Sequence, residues 1–286
     1  NNGYIDDLIG WDFYNDDNDP FDDDSHGTHV AGTIGALSNN QTGVAGVNWD
    51  IQLTALKFLG PYGGYTSDAV RAVDYFTDVA TRYDSLITNN GNARYLATNN
   101  SWGGGGFNSS LSSAIQAGAD QGIIFVAAAG NDINNNDNTS SYPSNYEAVH
   151  NSIDHVVAVA SIDQNGSPSW FTNYGPDFSV DIAAPGGNIK STVPNNGYDS
   201  YGGTSMAAPH VSGALGLLAS KNPTASSSEL IQALYAGADQ DINLLGTSVD
   251  GKLLNIVSSL NELNSPAPSP TETPLFTENF ETDDYF

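Results

Sequence analysis

The chain has no cysteine in its 286 residues. That excludes disulfides and a cysteine nucleophile, while leaving the compartment open. Basic residues are nearly as scarce, with 7 Lys plus Arg against 33 Asp plus Glu and a formal net charge of −26. A surface of that sign repels phosphate backbones and anionic lipid, so nucleic acid and membrane are excluded as partners. No apolar run reaches the roughly 20 residues that a membrane-spanning helix needs, and the front of the chain shows no secretory leader. What remains is a 39% hydrophobic polypeptide, long enough to build one sizeable core. Its acidity suits a soluble monomer in salty or calcium-rich surroundings outside the cell.

Strand-length apolar runs occur at Ile51–Phe58, Tyr95–Asn100, Gly122–Ala129, His155–Ser161 and Phe178–Ala184. Helical spacing of apolar residues occupies His26–Leu37, Ser67–Ile87, Ser109–Gln121, Thr204–Ser220 and Ser226–Tyr235. This alternation predicts an α/β fold, a doubly wound, mostly parallel sheet with helices on both faces and its site at the strand ends. One domain is expected over 1–263. From Asn264 the run NSPAPSPTETP is too rich in Pro, Ser and Thr to pack, which makes 264–274 a linker and 275–286 a tail or the opening of a further domain. Residues Glu147–Asp154 read as a surface excursion, with His150 and His155 as solvent-exposed or structural histidines rather than metal ligands.

Two runs carry chemistry. GTSMAAPH places Ser205 at the start of a helix whose first amides and positive dipole end face a reacting carbonyl, with Pro209 expected in the first turn. SHGTHVAG places His26 at the mouth of another helix, with Ser25 as its expected cap. A bare GTS is more often a serine capping a buried helix, and the octapeptide moves the weight to a nucleophile with a nearby imidazole base. His26 and His29 do not form a zinc-protease pair, because that signature needs histidines four apart around a glutamate. His29 reads as a neutral core residue, and His210 as structural.

SHGTHVAG, NNSWGG at Asn99–Gly104, AAAGN at Ala127–Asn131 and GTSMAAP, in that order, resemble the subtilisin-like serine proteases from about Gly10 to Leu260. The resemblance implies a secreted serine endopeptidase acting on polypeptides, with 1–263 as its catalytic domain. On it, Ser205 is the nucleophile, His26 the general base and Asn131 a donor to the oxyanion. Asn after Gly is also a common turn residue, the plainer reading of Asn131. Ser101, Trp102 and Gly103 would pair with substrate backbone, Ala128, Ala129 and Gly130 would wall the primary pocket, and Gly60, Gly63 and Gly64 would form the second rim. Small walls imply a broad, apolar or aromatic preference.

The same resemblance exposes a gap. In the family an aspartate that orients the histidine ends a buried strand some thirty or more residues upstream, whereas 25 residues precede His26 here and none of their aspartates follows a strand-length apolar run. The expectation is a sheet without its first strand and a chain without measurable peptide hydrolysis. Loss of that aspartate alone costs about 3 × 10⁴ in kcat, or about 6 kcal/mol.

Asp6, Asp7, Asp12, Asp16, Asp17, Asp19, Asp22, Asp23 and Asp24 crowd the start without a Lys or Arg among them. Such density is either a solvated acidic face or a hard-cation site. GWDFYNDDNDP resembles a calcium loop of the family, which implies Asp12, Asn15, Asp17 and Asp19 as calcium ligands. Asp6 and Asp7 are weaker candidates for a second loop. Two rival functions stand beside the peptidase: an inactive pseudoprotease that only binds peptides, and a calcium-dependent extracellular module, which leaves GTSMAAP unexplained.

Overall fold

The computed structural model describes residues 3–87, 95–146 and 155–263. In chain order the elements are β1 (Gly10–Asp12), α1 (His26–Gly35), β2 (Ala55–Lys57), α2 (Thr66–Ile87), β3 (Ala97–Asn100), α3 (Ser109–Asp120), β4 (Ile124–Ala128), β5 (Val156–Ile162) and β6 (Ile182–Pro185). A hairpin of β7 (Ile189–Val193) and β8 (Gly197–Tyr201) follows, then α4 (Thr204–Lys221), α5 (Ser227–Ala236), β9 (Asp239–Gln240), β10 (Lys252–Leu253) and α6 (Ile256–Glu262).

The main sheet runs β3-β4-β5-β6-β10-β9, parallel except for the antiparallel β10–β9 edge. Strand β4 shows why helices cover both faces. Ile124, Val126 and Ala128 pack with Val211, Ala214, Leu215 and Leu218 of α4 on one side. Phe125 and Ala127 pack with Val73 of α2 and Leu111 and Ile115 of α3 on the other. Successive side chains of a strand point to opposite faces, so a strand buried on both must be apolar throughout. All of β4 and β5 is buried. This is the doubly wound, mostly parallel α/β fold that the sequence predicts.

Several boundaries differ from expectation. Ile51–Phe58 yields only the three-residue β2, which pairs in parallel with β1 rather than joining the main sheet. Among the described residues the sheet is therefore in two pieces. Phe178–Ala184 is strand only from Ile182, its first half being held in turns such as Val180 N–H to the Gly175 carbonyl at 3.1 Å. The β7–β8 hairpin carries polar, partly exposed residues and no apolar run that would mark it in the sequence. Residues 147–154, with His150, and residues 264–286, which include the expected linker and tail, lie outside the described residues.

Candidate active site

The sheet directs the motifs to one end. Ser101 follows β3, Ala129 to Asn131 follow β4, and Ser205 is the second residue of α4. Helix α4 begins at Thr204, so Pro209 is its sixth residue and lies in the second turn, not in the first as expected. A proline there removes the N–H that would bond the carbonyl four residues back, which is that of Ser205. Ser101 fills the vacancy: its hydroxyl donates to the Ser205 carbonyl at 2.7 Å, and the Ser205 hydroxyl donates to the Ser101 carbonyl at 3.3 Å. Asn99 supports the pair through its side-chain amide, which donates to Ser101 Oγ at 2.9 Å. The second strand-end motif is thus latched to the nucleophile by reciprocal bonds.

Asn131 is oriented from the same helix. Its Oδ1 accepts the Thr204 N–H at 2.9 Å and the Thr204 hydroxyl at 3.0 Å. Nδ2 is left as a donor without an acceptor among the described residues. The Ser205 N–H, in the first helical turn, lies beyond the helix's own ladder. Both nitrogens flank the start of α4, since a Cβ at position 203 would lie 3.6 Å from the Ser205 nitrogen and 3.7 Å from Asn131 Nδ2. Thr204 also ties down the wall, since its hydroxyl accepts the Gly130 N–H at 3.2 Å.

Ala128 belongs to β4, and the Ala129 carbonyl accepts from the side chains of Asn136 at 2.9 Å and Asn173 at 3.0 Å. Gly130 has φ +112, and a Cβ there would sit 2.3 Å from Asn173 Nδ2. Only glycine fits that wall. Gly103 is exposed, while Trp102 packs edge-on to Phe58 with ring centroids 5.0 Å apart and donates to Asn100 Oδ1 at 3.2 Å. On the other rim Gly60 and Gly63 bond each other's backbone at 3.0 Å in both directions, closing a tight turn and leaving neither pair of groups free. Gly64 lies just beyond that turn, exposed.

His26 opens α1, but Ser25 is not its side-chain cap. Ser25 is left-handed at φ 79 and makes no capping bond. Asp22 does that work through four contacts: Oδ1 accepts the N–H groups of Asp24 at 3.0 Å and Ser25 at 2.8 Å, and Oδ2 accepts the Thr28 N–H and hydroxyl, both at 2.6 Å. Burial pushes the Asp22 carboxyl up, but the Thr28 hydroxyl and these amides outweigh it and hold it below its usual value. Sequence reading missed Asp22 as the cap because its bonds into the helix, to Thr28, span six residues rather than the usual three. For His26, burial dominates and lowers the imidazole pKa; the Asp24 and Asp22 carboxylates pull the other way, and His29 adds to the lowering. No hydrogen bond joins His26 to Ser205 or to a carboxylate among the described residues. Hydrogen bonds of this kind tighten when substrate binds.

His29 is a core residue, as expected. It is fully buried, stacks on Tyr201 at 4.3 Å, and its Nε2 lies 2.9 Å from the Ile189 carbonyl. His210 Nδ1 meets the Met206 carbonyl of its own helix at 2.8 Å.

The acidic loop folds around Asp12, whose backbone exchanges bonds with Asp17 at 2.9 and 3.1 Å. The Asp12 carboxylate is buried. It takes the amides of Tyr14 and Asn15 at 2.8 Å and the Lys57 ammonium at 3.1 Å. Lys57 thus already balances its charge. Asn15, Asp17 and Asp19 are exposed, and Asp17 Oδ1 accepts the Asp19 N–H at 3.0 Å. Oxygens of this kind suit a hard cation chemically, but among the described residues no three or more His, Asp or Glu side chains converge closely enough to hold one. Asp7 accepts the Tyr75 hydroxyl at 2.8 Å, so it is engaged in packing.

The sequence model described as the Subtilase family matches residues 1–256. Thermitase of Thermoactinomyces vulgaris is 40% identical over 239 residues, 83% of this chain and 75% of that protein. Subtilisin DY of Bacillus licheniformis is 37% identical over 219 residues, 76% of this chain and 71% of that protein. An extracellular protease of Xanthomonas campestris is 36% identical over 217 residues, 73% of this chain but 35% of that protein. Among solved structures, a cold adapted subtilisin-like serine proteinase superposes with a TM-score of 0.71 at 32% identity, covering 86% of this chain and 79% of that one. The end-of-sheet site, the fold and a family match across nearly all the described residues agree: this chain belongs to the subtilase family.

Proposed function

We propose that Ser205 is the nucleophile of a secreted serine endopeptidase that cuts extended polypeptides. The observation that supports this reading is the convergence at the start of α4, where Ser101 bonds Ser205 and Asn131 bonds Thr204; on this reading the Ser205 N–H and Asn131 Nδ2 would be the donors to the oxyanion. His26, neutral at pH 7 because burial depresses its pKa, takes the Ser205 proton as Oγ attacks the scissile carbonyl and returns it to the departing amine. Ser101, Trp102 and Gly103 line one edge of the substrate, Ala128, Ala129 and Gly130 the pocket beside it, and Gly64 the facing rim, beyond the turn that Gly60 and Gly63 close.

An imidazolium formed in this way needs an orienting carboxylate. Asp22 and Asp24 act on His26 only through space. That favours a second reading of this stretch by itself, as a cleft that binds peptide without rapid turnover. Asn15, Asp17 and Asp19 do not form a metal group as they stand and would have to close together to hold calcium, with Asp12 anchoring the loop; the ion would supply countercharge to the acidic front end.

Treating the folded protein with a fluorophosphonate and mapping the adduct by mass spectrometry tests the central claim. Modification should fall on Ser205 and vanish in Ser205→Ala; a folded protein that stays unmodified at Ser205 overturns it. Peptide turnover by this same chain at the rate of a subtilase whose histidine is held by an aspartate would overturn the second reading.

A further inference from the structure

A recess of about 550 Å³ lies against the segment Ser200–Gly202 that leads into α4, and it shares no residue with the rims or wall described above. Its lining includes Asp163, Trp170, Phe171, Gly187, Tyr201 and Gly202, and none of its residues is basic. Gly202 stands three positions before Ser205, and the next residue, Gly203, donates its N–H to the Gly186 carbonyl at 3.0 Å. That bond fastens the floor of the recess to the start of α4. The Ser205 carbonyl is meanwhile latched to Ser101, on the edge proposed above to line the substrate, and that edge contributes no residue to the recess.

Two features give the recess a chemical preference. Trp170 is 78% exposed, although it belongs to a turn held by buried bonds, and its ring rests edge-on against Phe171 with centroids 5.7 Å apart. An indole held this way presents an open face to solvent. Beside it, Asp163 closes the turn 163–167, its N–H donating to the Ser167 carbonyl and its carbonyl accepting the Gly166 N–H, both at 2.9 Å. The carboxylate has one oxygen on the Ser169 hydroxyl at 2.6 Å, and no Lys or Arg pairs with it among the described residues. A Cβ at position 187 would fall 2.1 Å from that same oxygen, so glycine keeps the approach open. An unpaired carboxylate next to an exposed indole face is the complement of a cation on a flexible apolar stem.

We propose that this recess receives a lysine or arginine side chain of the substrate from the leaving-group side of the scissile bond, its charge on Asp163 and over the Trp170 face. The proposal rests on the peptidase reading above for its orientation. The chain's net charge of −26 adds a long-range pull on the same cationic segments.

The test is calorimetric titration of the Ser205→Ala protein with alanyl-arginyl-leucine amide and its norleucine analogue at low salt. The arginine peptide should bind about tenfold more tightly, the combined size of an exposed ion pair and a cation–π contact. Asp163→Asn keeps an acceptor for Ser169 and should remove most of that preference; Trp170→Ala should reduce it, and Trp170→Phe should retain most of it. Equal affinities, no binding of either peptide, or a preference unchanged in Asp163→Asn with its melting temperature intact, would overturn the proposal. Fluorophosphonate modification of the unsubstituted protein is read separately. Selective binding without modification of Ser205 sinks the peptidase reading alone, and modification without selectivity sinks the recess alone.

Discussion

Ser101 and Pro209 should be energetically coupled although they lie on different elements, because both act on the Ser205 carbonyl. Pro209 leaves that carbonyl without its helical partner, and the Ser101 hydroxyl supplies one at 2.7 Å. Ser101→Ala strands the acceptor in a mostly buried setting, with Ser101 only 9% exposed. An unsatisfied acceptor of this kind costs about 1–3 kcal/mol. Pro209→Ala restores a main-chain N–H in register with the same carbonyl, so in the Ser101→Ala background the helix can satisfy it internally. The double substitution should therefore be more stable than the sum of the singles by at least about 1 kcal/mol. Urea unfolding of the four proteins, at matched slope, measures the cycle. Additivity within about 0.5 kcal/mol would refute the reasoning, since it would mean that the carbonyl is satisfied by something other than these two residues.

Other outcomes follow from the same geometry. Gly130→Ala forces a side chain onto Asn173 at φ +112 and should destabilise by about 2 kcal/mol or more, read by thermal unfolding. His26 is held neutral in the fold below its ordinary value of 6.5. As pH falls, the unfolded chain therefore binds the proton first and stability drops below about pH 6.5. An NMR titration should place its midpoint under 6.5, lower still in Asp22→Asn; a midpoint above that value contradicts the burial argument. The buried Asp181 carboxyl is pushed up to about 6 from 3.8 by burial, against the pull of the Ala158 N–H. The fold keeps a proton there that the unfolded chain releases, so a penalty grows from about pH 4 to 6 and persists above it. Asp181→Asn, which retains an acceptor for the Ala158 N–H, should stabilise by about 2–3 kcal/mol at pH 8 and hardly at pH 4. Removing calcium with a chelator should lower the melting temperature, and a variant with Asp17 and Asp19 both changed to Asn should abolish that difference; a chelator without effect excludes a calcium site.

Contiguous signals were legible in the sequence. The buried strands β4 and β5 announce themselves as unbroken apolar runs, and the helices α3 and α4 by spacing, because these properties depend on neighbours along the chain. The short strands β1, β9 and β10 escaped, as did the β7–β8 hairpin, and the run Ile51–Phe58 shrank to the three residues of β2, since a strand of two or three residues exists only by virtue of its partner. At the site, Ser205, His26 and Asn131 were legible as motifs. The orientation of Asn131 by Thr204 and the exchange between Ser101 and Ser205 were not, because each is a hydrogen bond between segments the sequence leaves unrelated; nor was the capping by Asp22, whose bonds to Thr28 reach beyond the usual spacing.

The sequence by itself determined the chemistry available: a serine with helix-start amides, an imidazole, a carboxamide, an acidic surface and no thiol. Tertiary structure decided which of those groups act on one another. A hydroxyl or an amide has the same donors wherever it sits, and only packing across β3, β4 and α4 brings Ser101, Asn131 and Thr204 within 2.7–3.3 Å of their partners at Ser205 and its helix start.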